Sequence, residues 1–489
     1  MNSVERARGL IREAQEVFRG DAATHRQLSD CLDRLDEPLR VALAGSLKAG
    51  KSTLLNALVG QDIAPTDATE CTRVVTWYRR GATARVTAVY DGDRTTDIPV
   101  LRPNGRLTFD FGGLTADRVD RLDVTWPART LRSFTIIDTP GTASLSTDVS
   151  ALTVDMLTPQ DGESGADAVV YLLRSLTNTD TAFLARIGEA IGRESGPLGV
   201  VGVVSRADEI GAGRMDAMMS AGEVAARFAG ELERTGLCQA VVPVAGLVAL
   251  GARTLREVEY RALVELAGVH PDELTTAMLS ADRFAAPTTG LPVDAALRAV
   301  LLDRFGMFGI RLAVTLIRLG VSDSPSLAAE LVQRSGLSEL REVIDVQFGQ
   351  RADQLKTHTA LLSLLRIIGG AGRSGAAGVI ATEVDRMLAD VHGFTELRLL
   401  GRLRSGALRL PEESLAEMTR IIGGFGIEPT LRLGLDPDAT PAQIRSAAIE
   451  AVQGWREWAA HPLLDRTTAL ACTAAARSAE GILADRPHP

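Results

Sequence analysis

Apolar residues recur at helical spacing along the first 37 residues. Val4, Ala7, Ile11, Ala14 and Phe18 make one stripe, and Leu28, Cys31, Leu32 and Leu35 make a second. Gly20 and Asp21 fall where a turn between two helices belongs, and Pro38 closes the second helix. Two short amphipathic helices need a partner for their apolar faces, and the expected source is the far C-terminal end.

From residue 39 to about 246 the pattern changes to short apolar runs without alternation, at 41–44, 134–137, 168–173, 198–204 and 240–244. Such runs suit strands of a parallel sheet buried on both faces. Helical periodicity separates some of them, at 182–193 and 221–234. Residues 74–127 read instead as extra antiparallel strands at 74–78, 84–89 and 122–126. Beyond residue 250 no strand run persists. Residues 252–335 are helical, a long amphipathic helix opens at Ser335 and continues to about Ile368, and the five glycines between Gly369 and Gly378 form a flexible joint. Further helices are expected at about 379–404, 411–422 and 441–483.

The fold class is therefore α/β plus all-α, a mainly parallel sheet flanked by helices and joined to a helical bundle. A chain of 489 residues allows about three domains. The 45% hydrophobic and 24% charged residues describe a soluble protein with ample core, and the net charge of −9 argues against nucleic acid as a bulk electrostatic partner. Cys31, Cys71, Cys238 and Cys472 form no C-x-x-C pair and read as reduced thiols of a cytosolic protein. The most apolar stretch, 305–320, is broken by Arg311 and Arg318, so any membrane contact is expected to be peripheral.

The strongest chemical signal is G-S-L-K-A-G-K-S from Gly45 to Ser52, between an apolar run and a helix-like segment. Such a loop points consecutive backbone N–H groups at a phosphate, and the following helix start adds partial positive charge. The nucleotide-contacting set is Gly45, Ser46, Ala49, Gly50, Lys51, Ser52 and Thr53. Lys51 reaches the β- and γ-phosphates and Ser52 ligates Mg²⁺. In Asp138-Thr-Pro-Gly141, after the run 134–137, Asp138 is placed to hold a Mg²⁺-bound water and the Gly141 N–H to bond the γ-phosphate. Ser205-Arg-Ala-Asp208 corresponds to the guanine-reading [NT]-K-x-D. Asp208 accepts from the N1–H and exocyclic amine of guanine, the Arg206 stem lies over the base, and Ser205 keeps a hydroxyl. The threonine-rich segment 65–72 should supply a Mg²⁺ ligand, Thr72 first and Thr69 second. The loop after the last strand, 244–246, is too degenerate to assign.

Lys51 and Asp138 lie much further apart than in a minimal Ras-like GTPase. Together with Gly-x-x-Lys-Ala-Gly-Lys-Ser-Thr-Leu-Leu-Asn-Ala-Leu from Gly45, Ala64-Pro-Thr-Asp-Ala-Thr-Glu70, the stretch 205–213 and Arg304-Phe-Gly-Met-Phe-Gly-Ile-Arg311, the chain resembles the bacterial dynamin-like large GTPases over nearly its whole length. The resemblance implies a GTP-hydrolysing enzyme, slow alone and faster when two GTPase domains meet, with no water-positioning Gln; Thr142 follows Gly141 here. It implies a GTPase domain at 39–345 with a helical insertion at about 252–335, N-terminal helices at 1–38 that join the neck, and a helical neck and trunk at 346–489. Its implied partners are GTP and GDP, anionic lipids at the cytoplasmic face of the plasma membrane, and a second copy or a paralogue.

Lys48 stands where eukaryotic relatives carry a Ser that helps hold a monovalent cation, so its ammonium either replaces that cation during catalysis or points to solvent. Two glycine-flanked segments compete as lipid contacts: 369–378 with Arg366 and Arg373, and 421–427 with Phe425, Ile427 and Arg420. The alternative is that both are helix connections with apolar residues packed inside. A regulatory GTP switch that docks a protein through the helices is the rival function, and an ATPase conflicts with Asp208. The six His residues show no ligand spacing, so His358 reads as a packed group, and Trp455 and Trp458 as buried between C-terminal helices.

Overall fold

The computed structural model describes residues 3–46, 48–65, 74–91, 94–102, 107–111, 114–115, 118–140, 165–191, 199–233, 238, 240–370, 375–404 and 408–484. Among the described residues the main sheet holds nine strands in the order β11-β10-β9-β1-β8-β2-β7-β3-β4. In chain order these are β1 (Leu39–Gly45), β2 (Thr76–Arg80), β3 (Arg85–Tyr90), β4 (Arg94–Asp97), β7 (Val119–Trp126), β8 (Phe134–Asp138), β9 (Ala168–Leu173), β10 (Val200–Ser205) and β11 (Ala240–Val244). Short β5 (Val100–Leu101) and β6 (Thr108–Phe109) pair separately.

The non-alternating runs became the parallel half: β1 lies between β8 and β9, and β10 between β9 and β11, all parallel. Every residue of β9 and β10 is buried, as two covered faces require. The extension at 74–127 corrects the expectation of purely antiparallel strands. β2 runs antiparallel to β8 but parallel to β7, and only β3 and β4 continue antiparallel from there. β2 thus continues the main sheet past β8.

The N-terminal pattern folds as the helices Ser3–Val17 and Ala22–Asp33, the second capped by the Asp21 carboxylate, which accepts from Ala23 N and Thr24 N. Their partner is not the far C-terminal end. Ala7, Ile11, Ala14 and Leu28 share one core with Leu355, Leu361, Leu364 and Val384, from the helices Ala352–Gly370 and Ala376–Asp390, and that core continues into Leu43, Val170 and Leu172 of the sheet. The last helices, Pro441–Ala459 and Arg466–Ala484, close a separate core with Leu400, Met418 and Ile421.

The long helix expected from Ser335 is two, Leu337–Ile344 and Ala352–Gly370, separated by a wider turn at Asp345–Gly349. The glycine-rich joint is shorter than expected, because Gly369 and Gly370 stay in one helix and Gly378 lies in the next. Residues 252–335 are helical with their own core around Leu263, Phe284, Leu301 and Phe305. Their longest helix, Ala295–Arg318, is kinked at Gly306, which has φ 62° and ψ 174°.

One buried ion pair fastens the N-terminal helices to the sheet. Arg34, 1% exposed, pairs with Asp167 just before β9, and the same Asp167 oxygen accepts from Arg40 N at 2.8 Å. Removing one partner leaves a buried charge uncompensated, a cost of about 3–5 kcal/mol. Arg34→Met is expected to destabilise the protein by about 3 kcal/mol, read as a lowered midpoint of urea unfolding; an unchanged midpoint contradicts the fastening.

Candidate functional site

The site assembles at the C-terminal ends of β1, β8 and β10. At Gly45 the backbone takes φ 145°, and a Cβ there would sit 2.5 Å from the Leu172 carbonyl of the adjacent β9, so only glycine passes. The chain then turns through Gly50 (φ 88°) into the helix Lys51–Val59. Lys51 is buried, and its Nζ donates to the carbonyls of Gly45 at 3.0 Å and Ser46 at 3.2 Å. Lys48 is exposed on left-handed backbone at φ 59°.

Asp138 ends β8 opposite the loop, and Ser52 Oγ donates to its Oδ2 at 2.9 Å. Oδ1 of the same carboxylate is buried with no partner. Burial pushes the Asp138 carboxyl up from its ordinary value, opposed by the Lys51 charge and the Ser52 bond; burial likewise pushes the Lys51 ammonium down, opposed by Asp138. A hydroxyl beside a carboxylate with one unsatisfied oxygen is a donor set that fits Mg²⁺, which takes oxygen ligands and keeps several waters. Next along the chain, Thr139 is buried with its hydroxyl donating to Leu43 O at 2.8 Å, which ties the start of the Asp138-Thr-Pro segment to β1.

The residues expected to read the base lie together. Asp208 is buried, and burial raises its carboxyl above the usual range. Ser205 Oγ donates to Leu173 O at 3.2 Å. Arg206 is left-handed at φ 52°, with Nη1 donating to Glu209 Oε1 at 2.6 Å. These residues line one cavity with Ala49, Gly50 and Thr53 of the phosphate loop and its helix. Of the predicted residues, Thr72, Thr69 and Gly141 lie outside the described residues, as does Cys71.

Several contributors escaped the sequence reading. Val244, Gly246 and Leu247, in the unassigned loop and the start of the helix Gly246–Arg253, line the same cavity. Gly306 brings the kinked helix so close that a Cβ there would lie 3.6 Å from both Asp208 Oδ2 and Leu247 Cδ2. Buried Asn56 uses its whole amide: Nδ2 donates to Asp62 Oδ1 at 3.0 Å and Ala64 O at 2.8 Å, and Oδ1 accepts from Ile63 N and Ala64 N. It thereby pins the chain that enters the threonine-rich segment. At the far end of the phosphate-loop helix, Arg253 Nη1 donates to Ala57 O at 2.6 Å and Leu58 O at 2.8 Å, and Arg341 Nη2 to Leu58 O at 2.7 Å. Burial and the neighbouring Arg341 push Arg253 down to about 10. The only local signals were the Asn in the helix after the phosphate loop and the lone arginines near two helix ends.

The model of the dynamin family matches residues 41–206. The isoniazid-induced protein IniC of Mycobacterium tuberculosis is 52% identical over 99% of each chain. The isoniazid-induced protein IniA of the same organism is 34% identical over 29% of this chain and 23% of its own. A solved chain of an oligomerised bacterial dynamin pair overlaps 99% of this chain and 75% of its own at 12% identity, with a TM-score of 0.30.

The two charge-assisted hydrogen bonds expected from guanine to Asp208 would be worth about 1.5–3 kcal/mol each. Asp208→Asn is expected to weaken GTP binding at least about 100-fold, since about 2.7 kcal/mol of loss suffices, and to gain affinity for xanthosine triphosphate, whose 2-carbonyl meets the new amide. The expected contact with guanine requires an ionised Asp208. Because burial raises its pKa, GTP affinity is lost as pH falls at a higher pH than for an exposed aspartate. Calorimetric titration checks both; equal GTP affinity in the variant removes Asp208 from base recognition.

Proposed function

This chain belongs to the dynamin family and is a GTPase, and from that premise we propose that it binds GTP with Mg²⁺, is stimulated when two GTPase domains meet, and remodels or maintains the plasma membrane from its cytoplasmic face, as a homo-oligomer or with a paralogous partner. The observation that carries this reading is the convergence of Lys51, the Ser52–Asp138 pair and Asp208 on one end of the sheet. Gly45, Ser46, Ala49, Gly50 and Thr53 supply backbone to the phosphates and Lys51 the charge on the β- and γ-oxygens. Ser52 and Asp138, with Thr72, would hold Mg²⁺, which neutralises phosphate charge when bound. Gly141 N–H would meet the γ-phosphate. Ser205, Arg206 and Asp208 read the base.

In this reading Lys48 replaces a monovalent cation. Its exposure on a left-handed turn leaves the ammonium free to fold over the β–γ bridge as charge builds on the leaving phosphate. The lipid contact we favour is the 421–427 loop. Ile421 and Ile422 are buried, whereas Phe425 is 58% and Ile427 41% exposed. The loop is fixed from behind: Gln347 Nε2 donates to Gly424 O at 3.1 Å, Arg351 Nη2 to the Ile422 and Gly423 carbonyls, and Ile427 N to Gln350 Oε1 at 3.1 Å. In the rival segment Leu361, Leu364, Ile367 and Ile368 are buried, and Arg373 lies outside the described residues. Among the described residues no helix is long and apolar enough to cross a membrane.

GTP turnover per molecule is expected to rise with protein concentration and again with phosphatidylglycerol liposomes, and Phe425→Asp to abolish the liposome effect while leaving basal turnover intact. Turnover independent of both favours a switch that docks a protein instead. Rates in Na⁺ and K⁺ buffers are expected to match; a strong K⁺ requirement removes the role given to Lys48.

A further inference from the structure

The helix Ala295–Arg318 meets the cavity lined by Asp208 at its kink. A Cβ at Gly306 would lie 3.6 Å from Asp208 Oδ2 and from Leu247 Cδ2, and both residues line that cavity. That distance is ordinary contact, so space alone would admit alanine. The backbone would not: φ 62° with ψ 174° is a conformation essentially restricted to glycine. Strain of this kind gathers at binding and switch sites, and here it stands beside the carboxylate expected to read guanine.

The two halves of the broken helix are anchored to different walls of the cavity. Before the kink, Arg304 and Phe305 press on the helix Gly246–Arg253, which carries Leu247. The approach is close: a Cβ at Gly251 would sit 2.7 Å from Arg304 O and 2.8 Å from the Phe305 ring. Beyond the kink, the Arg311 guanidinium donates to Gly213 O at 2.6 Å and to Met278 O at 2.5 Å. Gly213 ends the tight turn Ala207–Gly213 that carries Asp208. A guanidinium holds its donors in a rigid fork, so two acceptors on separate segments are fixed together.

We propose that Gly306 and Arg311 are positioning residues for guanine selection: the kink and its downstream anchor set the spacing between the Asp208 carboxylate and Leu247. This rests on Asp208 as the base reader, and adds that the helical segment 252–335, rather than the sheet alone, determines selectivity. An L-residue at 306 drives the backbone toward ordinary helical angles and turns one half of the helix against the other, shifting Asp208 relative to Leu247. Lys51 and Ser52 bond instead to Gly45, Ser46 and Asp138, so the loss falls on base discrimination before the phosphate grip.

Calorimetric titrations of the full chain in Mg²⁺ test this with nonhydrolysable analogues of GTP and of inosine triphosphate, which lacks only the exocyclic 2-amine. The wild type is expected to favour the guanosine analogue at least about tenfold, the worth of one charge-assisted bond. Gly306→Ala and Arg311→Met should each cut that preference below about threefold. In both, KM for GTP should rise while kcat stays within about twofold, the mark of lost binding rather than lost chemistry. Arg311→Lys, which keeps a donor for one carbonyl, should fall between. Leu327→Ala, in the same apolar core, should lower the urea midpoint and leave the preference intact. Full preference in the folded variants, or its loss in Leu327→Ala as well, overturns the proposal; where circular dichroism shows Gly306→Ala unfolded, the Arg311 variants decide. A wild type that binds both analogues equally would instead remove Asp208 from base reading, and this proposal with it.

Discussion

The nucleotide site depends on one steric constraint, the close passage of Gly45 past the Leu172 carbonyl of β9. Because β1 is clasped between β8 and β9, the chain must leave the sheet there and reverse at once into a helix. That reversal sets the helix start, the Lys51 ammonium and the Ser52 hydroxyl facing Asp138 on the neighbouring strand. Burial works against charge on both Lys51 and Asp138, and each favours charge on the other. A triphosphate with its cation would supply what both lack: anionic oxygens for the ammonium and a positive centre for the unpaired carboxylate oxygen.

The same helix is held at its other end. Its last carbonyls carry partial negative charge and accept from Arg253 and Arg341. Arg253 closes the helix whose first turn lines the Asp208 cavity, and Arg341 lies on the helix leading to the wide turn at Asp345–Gly349. From that turn Gln347, with Arg351 one turn on, grips the glycine loop that presents Phe425. The phosphate loop, the Asp208 cavity and the helical region are thus joined through helices and the hydrogen bonds between them.

Much of this was legible locally. The phosphate loop, the five strand runs and the turn at Gly20 and Asp21 each follow from a short stretch of chain. What escaped depends on distant partners. The apolar stretches at 74–78 and 122–126 give two strands but not their relative direction, and β2 with β7 proved parallel rather than antiparallel. The stripe through Ala7 and Ile11 requires a complement without naming it, and that complement is Leu361 and Leu364 rather than the last helices. Gly369 and Gly370 read as a joint because glycine weakens helices, yet buried Ile367 and Ile368 carry the helix through them. Gly306 gave no local sign that its kink would set a helix against Asp208.

The central claim is that this loop holds a triphosphate and that the carboxylate at the end of β10 selects guanine. Its most direct test is titration of the full chain, in Mg²⁺, with nonhydrolysable analogues of GTP and of ATP. The account predicts one-to-one binding of the guanosine analogue, weakened by chelating the Mg²⁺, with the adenosine analogue at least about 100-fold weaker, as loss of the two bonds to Asp208 implies. Absence of guanosine binding, or equal affinity for the two, would contradict it.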